Sequence, residues 1–129
     1  IMMRLKSDLV ELMDAVINGT LAEARAEWHA DPAVCVVLTA GGYPGTYETG
    51  KEIQGLEKLQ EWSNGFVFHA GTAKDEDRWV TTGGRVLGVT ARGKNIAGAV
   101  KEVYRAIGEI SWDGMHYRKD IAHRALKTV

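Results

Sequence analysis

RVLGVTARGKNIAGAVKEVYRAIGEI, Arg85 to Ile110, sets two hydrophobic periods side by side. In Arg85 to Ala91 the residues Val86, Leu87, Val89 and Thr90 are strong strand formers, and Arg92 with Gly93 supplies a turn out. From Ile96 the period changes. Ile96, Val100, Val103, Ile107 and Ile110 recur at helical spacing while Lys101, Glu102, Arg105 and Glu109 take the other face, which predicts an amphipathic helix. Upstream, Gly83 and Gly84 lead into the strand, and Phe66 to Ala70 and Trp79 to Thr82 read as a hairpin across the charged connection Gly71 to Arg78. Further back, Ala33 to Ala40 is a Val-rich apolar run of strand length, read as a buried strand and ended by Gly41 and Gly42. Tyr43 to Gly65 is turn-rich, with a short helix around Leu56 to Trp62. Near the start, Leu5, Leu9, Leu12, Met13 and Val16 predict a first helix stopped at Asn18 and Gly19. Thr20 with Glu23 forms a capping box for a second, Leu21 to about Trp28. After the long helix, Ser111 to Tyr117 is extended or irregular and Arg118 to Lys127 is a short basic helical tail. Helices, then strands with Gly turns, then helices make the class α+β.

The 129 residues carry 16 Lys and Arg against 17 Asp and Glu, a formal net charge of -1, so there is no basic field to hold a nucleic acid or an acidic membrane. Hydrophobic residues are 45% and charged residues 26%, the balance of a folded, soluble chain, and no apolar run approaches the ~20 residues of a membrane span. The chain opens on Ile1 without a secretory signal, a beginning that reads as cut, whether a processed terminus, an expression fragment or a domain excised from a longer protein. The single cysteine, Cys35, excludes an internal disulfide, fits a cytoplasmic address and reads as a small core hydrophobe. Fifteen glycines lie above the roughly 7% average, and no GxGxxG or GK[ST] pattern turns them into a phosphate loop. They read instead as turns at strand ends. His29, His69, His116 and His123 lack the spacing of a metal site, and no GxSxG elbow promotes a serine. The tail is the chemically suggestive segment. Arg118, Lys119 and Arg124 gather three cations at the predicted start of a helix, a place for a phosphate, with a solvated basic face as the plainer reading.

AGGYPG at Ala40 to Gly45, VFHAGT at Val67 to Thr72, TTGGRVLGVTARG at Thr81 to Gly93 and SWDGMHYRKDIAHRA at Ser111 to Ala125 follow one another in a distinctive order. Together they resemble the C-terminal part of the phosphoribosylamine-glycine ligase family, within the ATP-grasp superfamily. The opening MMRLKSDLVEL at Met2 to Leu12 resembles the segment after that family's nucleotide-binding motif. The resemblance implies a small, mostly antiparallel sheet of the rudimentary hybrid-barrel type with packed helices at 33–129, preceded at 1–32 by the trailing helices of an ATP-grasp domain. It implies a ligase of purine biosynthesis joining glycine to 5-phosphoribosylamine through a glycyl phosphate. ATP and Mg or Mn would be bound by the missing N-terminal part of the enzyme, outside this chain, which alone would be inactive. It also implies that Arg118 and Lys119 hold the substrate phosphate, with Gly83, Gly84 and Arg85 as a turn facing the cleft. Ala122 departs from the glycine common in the family's DIG stretch, which puts the backbone there in question because Ala reaches positive φ less easily than Gly. Leu5, Leu9, Leu12 and Val16 would pack on the absent part, and without it would reorganise or self-associate. The competing reading is a non-catalytic interaction or oligomerisation domain.

Overall fold

The computed structural model describes residues 1–127. The strand and helix of the deciding stretch form its centre. Strand β6 (Arg85–Arg92) runs between β1 (Ala33–Thr39) and β3 (Gly65–His69), antiparallel to both. Helix α2 (Ile96–Ile107) lies across one face of β1 and β6, with the Asn95 side chain accepting from the Gly98 amide at 2.8 Å as its N-cap. Val103, Ala106, Ile107 and Ala99 on the helix and Val36, Leu38 and Val89 on the strands are fully buried between them.

A second antiparallel sheet places β5 (Arg78–Thr81) between β2 (Glu52–Ile53) and β4 (Thr72–Asp75). The architecture is α+β, as its order of elements implied. The pairing within it differs. Phe66 to Ala70 does not pair with Trp79 to Thr82: β3 joins β6, and β5 pairs with β4, which arises from the charged connection itself. The β4–β5 turn takes Glu76 at φ 54, and Arg78 reaches back to Asp75 at 3.1 Å. The chain crosses from one sheet to the other at Gly71, where a Cβ would stand 2.7 Å from the Gly83 Cα.

Other expectations also change. Cys35 is exposed: β1 alternates, turning Val34, Val36 and Leu38 inward and Cys35 and Val37 outward, because α2 covers only one face of the sheet. The short helix near Leu56 is a single 3-10 turn, Leu56–Leu59. Helix α1 (Leu9–Ile17) forms on its Asp8 cap, but the helix from Leu21 to Trp28 does not. Thr20 to Ala24 makes only a turn, and the chain then runs back beside Arg4 to Ser7, with Lys6 N–H donating to the Glu27 carbonyl at 2.9 Å and His29 N–H to Arg4 at 2.8 Å. Leu21 and Trp28 stay half exposed, so a helix there would have had nothing to pack on. No residue of α1 is buried.

Candidate functional site

The outer face of the β1–β6–β3 sheet carries the candidate site. Antiparallel register puts Cys35, Thr90 and Phe66 in one row and Val37, Gly88 and Phe68 in the next. A Cβ on Gly88 would sit 3.5 Å from the Cys35 sulfur, so glycine keeps the middle of this face low. At the far end of β1, Thr39 and His116 exchange backbone hydrogen bonds, His116 N–H to Thr39 at 3.0 Å and Thr39 N–H to His116 at 2.8 Å. That pairing brings the chain after α2 to the mouth of the sheet.

The result is a cavity of about 410 Å³ lined by Val37, Tyr43, Arg85, His116, Tyr117 and Arg118, among others. Arg85, at the first position of β6, and Arg118, in the tail, meet here across a long sequence separation. A neighbouring hollow shares Val37, Tyr43 and Arg85 and continues past Tyr47, Phe68, His69 and Gly84. Gly84 belongs to this rim because the Tyr43 ring lies where its side chain would be. Gly83 does not share it: it abuts Gly71 at the crossing between the sheets. Lys119 lies beside Arg118 on a separate hollow with Met115, His116 and Tyr117.

The two arginines differ electrically. Among the described residues nothing hydrogen-bonds or ion-pairs with the Arg85 guanidinium, which is exposed. Arg118 is held bidentately by Asp120, Nε to Oδ1 at 2.9 Å and Nη2 to Oδ2 at 2.7 Å. Those hydrogen bonds raise the guanidinium above its usual range and hold the Asp120 carboxyl below its own. The Nε edge of Arg118 is therefore occupied, leaving the Nη1 side for another anion. Burial holds the His69 imidazole below its ordinary value.

The expected tail helix is shorter than its basic run. Only His123–Leu126 is helical (α3), so Arg118 and Lys119 stand before it in irregular backbone and gain nothing from a helix dipole. Ala122 occupies the left-handed region at φ 65, the conformation for which glycine is best suited, and this residue ends any helix reaching back toward Arg118. Sequence reading missed Cys35, Val37, Tyr43, His116 and Tyr117 as lining residues. The alternation of β1 was the available signal for the first two.

The family model for the phosphoribosylglycinamide synthetase C domain matches residues 33–124. The chain belongs to that family. Its relatives include the phosphoribosylamine–glycine ligase of Rhodopirellula baltica, 49% identical over 129 residues, which covers 99% of this chain and 30% of that protein. The enzyme of the same name from Salmonella typhimurium is 50% identical over 128 residues, 98% of this chain and 30% of that protein. Among solved structures, the phosphoribosylamine–glycine ligase of Thermotoga maritima is similar at a TM-score of 0.62 and 34% identity, over 84% of this chain and 27% of that one. The chain thus spans about 30% of the length of the curated relatives it matches. Among the described residues of this C-domain family member, no three His, Cys, Asp or Glu side chains are grouped to hold a metal ion, and no helix is long and apolar enough to cross a membrane.

Proposed function

We propose that residues 33–129 form the substrate-side domain of a cytoplasmic phosphoribosylamine–glycine ligase and that residues 1–32 are the trailing segment of its ATP-grasp domain. The ligase joins glycine to 5-phosphoribosylamine at the expense of ATP, in purine biosynthesis. The observation that carries the site assignment is the meeting of Arg85 and Arg118 on one cavity. Two arginines lining one hollow with phenols and an imidazole suit a phosphate monoester on a polar ring. Lys119 adds a point charge at the edge, and Gly83 with Gly84 shapes the turn that delivers Arg85. ATP and its Mg or Mn would be held by the remainder of the enzyme, outside this chain.

What this domain contributes is binding energy remote from the reacting amine, which positions that amine and lowers the entropy cost of the encounter. The open apolar side of α1, with Leu9, Val10, Met13 and Val16 exposed, supports its assignment as the edge of a further domain. In the intact ligase, replacing Arg118 and Lys119 together by Ala should raise the KM for phosphoribosylamine by about ten- to a hundredfold, the loss of one or two charge-assisted hydrogen bonds, with the KM for ATP little changed. Small, equal changes in both would reject the assignment. ATP- and glycine-dependent activity in the isolated chain would reject the larger reading.

A further inference from the structure

Arg118, Lys119 and Asp120 lie in backbone that neither a helix nor a strand holds. Among the described residues, neither the Arg118 carbonyl nor the Ile121 amide has a backbone partner. Both are satisfied by one side chain. The Tyr104 hydroxyl donates to the Arg118 carbonyl at 2.8 Å and accepts from the Ile121 amide at 3.2 Å. A single oxygen therefore fastens both ends of the segment Arg118 to Ile121, with Lys119 and Asp120 between them. Asp120 in turn grips the Arg118 guanidinium, so the orientation of that cation follows from the backbone that Tyr104 fixes.

Tyr104 is well placed for this. It projects from α2 beside Val103, which is fully buried, and its ring stands 6.3 Å from that of Tyr117, on the cavity wall. Ala99, Val103, Ala106 and Ile107 of the helix are buried, so the hydroxyl is carried by an element anchored in the core. We propose that Tyr104 is a positioning residue for substrate binding: through its hydroxyl it sets the conformation in which Arg118 and Lys119 meet the phosphate. The proposal rests on the assignment of those two cations to the substrate phosphate, and it adds a residue that touches no substrate.

The test is made in the intact ligase with Y104F, which keeps the ring and its packing and removes only the oxygen. Hydrogen exchange of the peptide spanning residues 118–122 should quicken while that of α2 is unchanged, because the Ile121 amide loses its acceptor. The KM for phosphoribosylamine should rise by about three- to tenfold, the factor carried by one ordinary hydrogen bond, with kcat and the KM for ATP within about twofold of wild type. In an R118A/K119A background the same change should add nothing further to KM. If R118A/K119A raises KM but Y104F does not, the cations bind phosphate and Tyr104 does not position them. If Y104F multiplies KM equally in both backgrounds, it acts by another route and the proposal fails. If R118A/K119A leaves KM unchanged, the phosphate assignment itself falls and takes the proposal with it.

Discussion

Gly55 joins the second sheet to the end of α2, and replacing it by Ala should be among the most damaging single-methyl changes in the chain. Its backbone is left-handed, at φ 86 and ψ 0, and buried. On one side Gln54 exchanges backbone hydrogen bonds with Ser111, at 2.9 and 3.2 Å. A Cβ on Gly55 would overlap the Glu109 carbonyl oxygen, with the Ile110 Cα at 3.4 Å. Gly50 supplies the control. It has a similar φ of 76, but nothing lies within 4 Å of the place a Cβ would occupy. The left-handed conformation costs an L-residue roughly 1–2 kcal/mol, and the stiffer unfolded chain returns about 0.4–1 kcal/mol, so G50A should lose about 0.5–1 kcal/mol. G55A bears the same cost plus displacement of a backbone carbonyl, for which the typical overpacking penalty is about 1–3 kcal/mol. If the Gln54–Ser111 pair parts as well, about 1 kcal/mol per hydrogen bond follows. The total is about 1.5–4 kcal/mol with that pair intact and about 3.5–6 kcal/mol if both of its hydrogen bonds are lost. Urea unfolding of the chain, with slopes compared to confirm a common mechanism, measures both variants. A G55A loss within about 0.5 kcal/mol of G50A would show that the close approach carries no energy and that φ alone requires the glycine.

Two further outcomes follow from the exposed sheet face and the α2 surface. Cys35 should react with a thiol-specific disulfide reagent in the native chain at a rate close to that of the unfolded chain, since it is exposed; strong native protection would return it to the core. Glu102 accepts from Trp62 Nε1 at 2.7 Å and pairs with Arg105 at 2.8 Å, and its carboxyl is held low by the Arg105 and then the Trp62 hydrogen bonds. Because the folded pKa lies below the unfolded one, this contribution is present above the ordinary Glu range and is lost as pH falls through the folded value. E102Q should therefore destabilise the chain at pH 7 and flatten the acid side of its stability profile, read by urea unfolding across pH 3 to 7; parallel wild-type and variant profiles would contradict it.

What could be read from the residues depends on whether one element or two decided the outcome. The Arg85–Ile110 stretch gave a strand and a helix because each buries a face whose period is written in its own side chains: Val103 and Ile107 repeat at helical spacing and both are buried. The β4 strand was hidden for the opposite reason. It is an edge strand whose Lys74 and Asp75 are exposed, and charges there leave an apolar pattern absent while guarding the edge against further pairing. Cys35 was misplaced because an apolar run such as Val34 to Leu38 does not say whether one face or both will be covered, and α2 covers one. The Thr20 and Glu23 pattern reads as a helix start, but no helix forms there: Leu21 and Trp28 stay half exposed, and among the described residues such a helix would have had no apolar surface to pack on.

The residues of the proposed site can be named from the sequence, whereas their assembly cannot. Arg85 and Arg118 could each be singled out, one after a glycine pair and one in a basic run, but nothing local joins them. Three tertiary features do: the antiparallel pairing of β6 with β1, the Thr39–His116 backbone exchange that returns the chain to the end of β1, and the Tyr104 hydroxyl that fixes the segment beyond it. The expected helix dipole was the wrong source of anion affinity, since the backbone at Arg118 and Lys119 is not helical. On the proposed assignment the attraction would come instead from side-chain charges, one without a partner among the described residues and one already shared with Asp120. On that assignment a phosphate at Arg118 would meet a guanidinium oriented by a carboxylate, which adds repulsion as well as order. Arg85, with no such companion among the described residues, would then be the cation whose full charge offsets that repulsion.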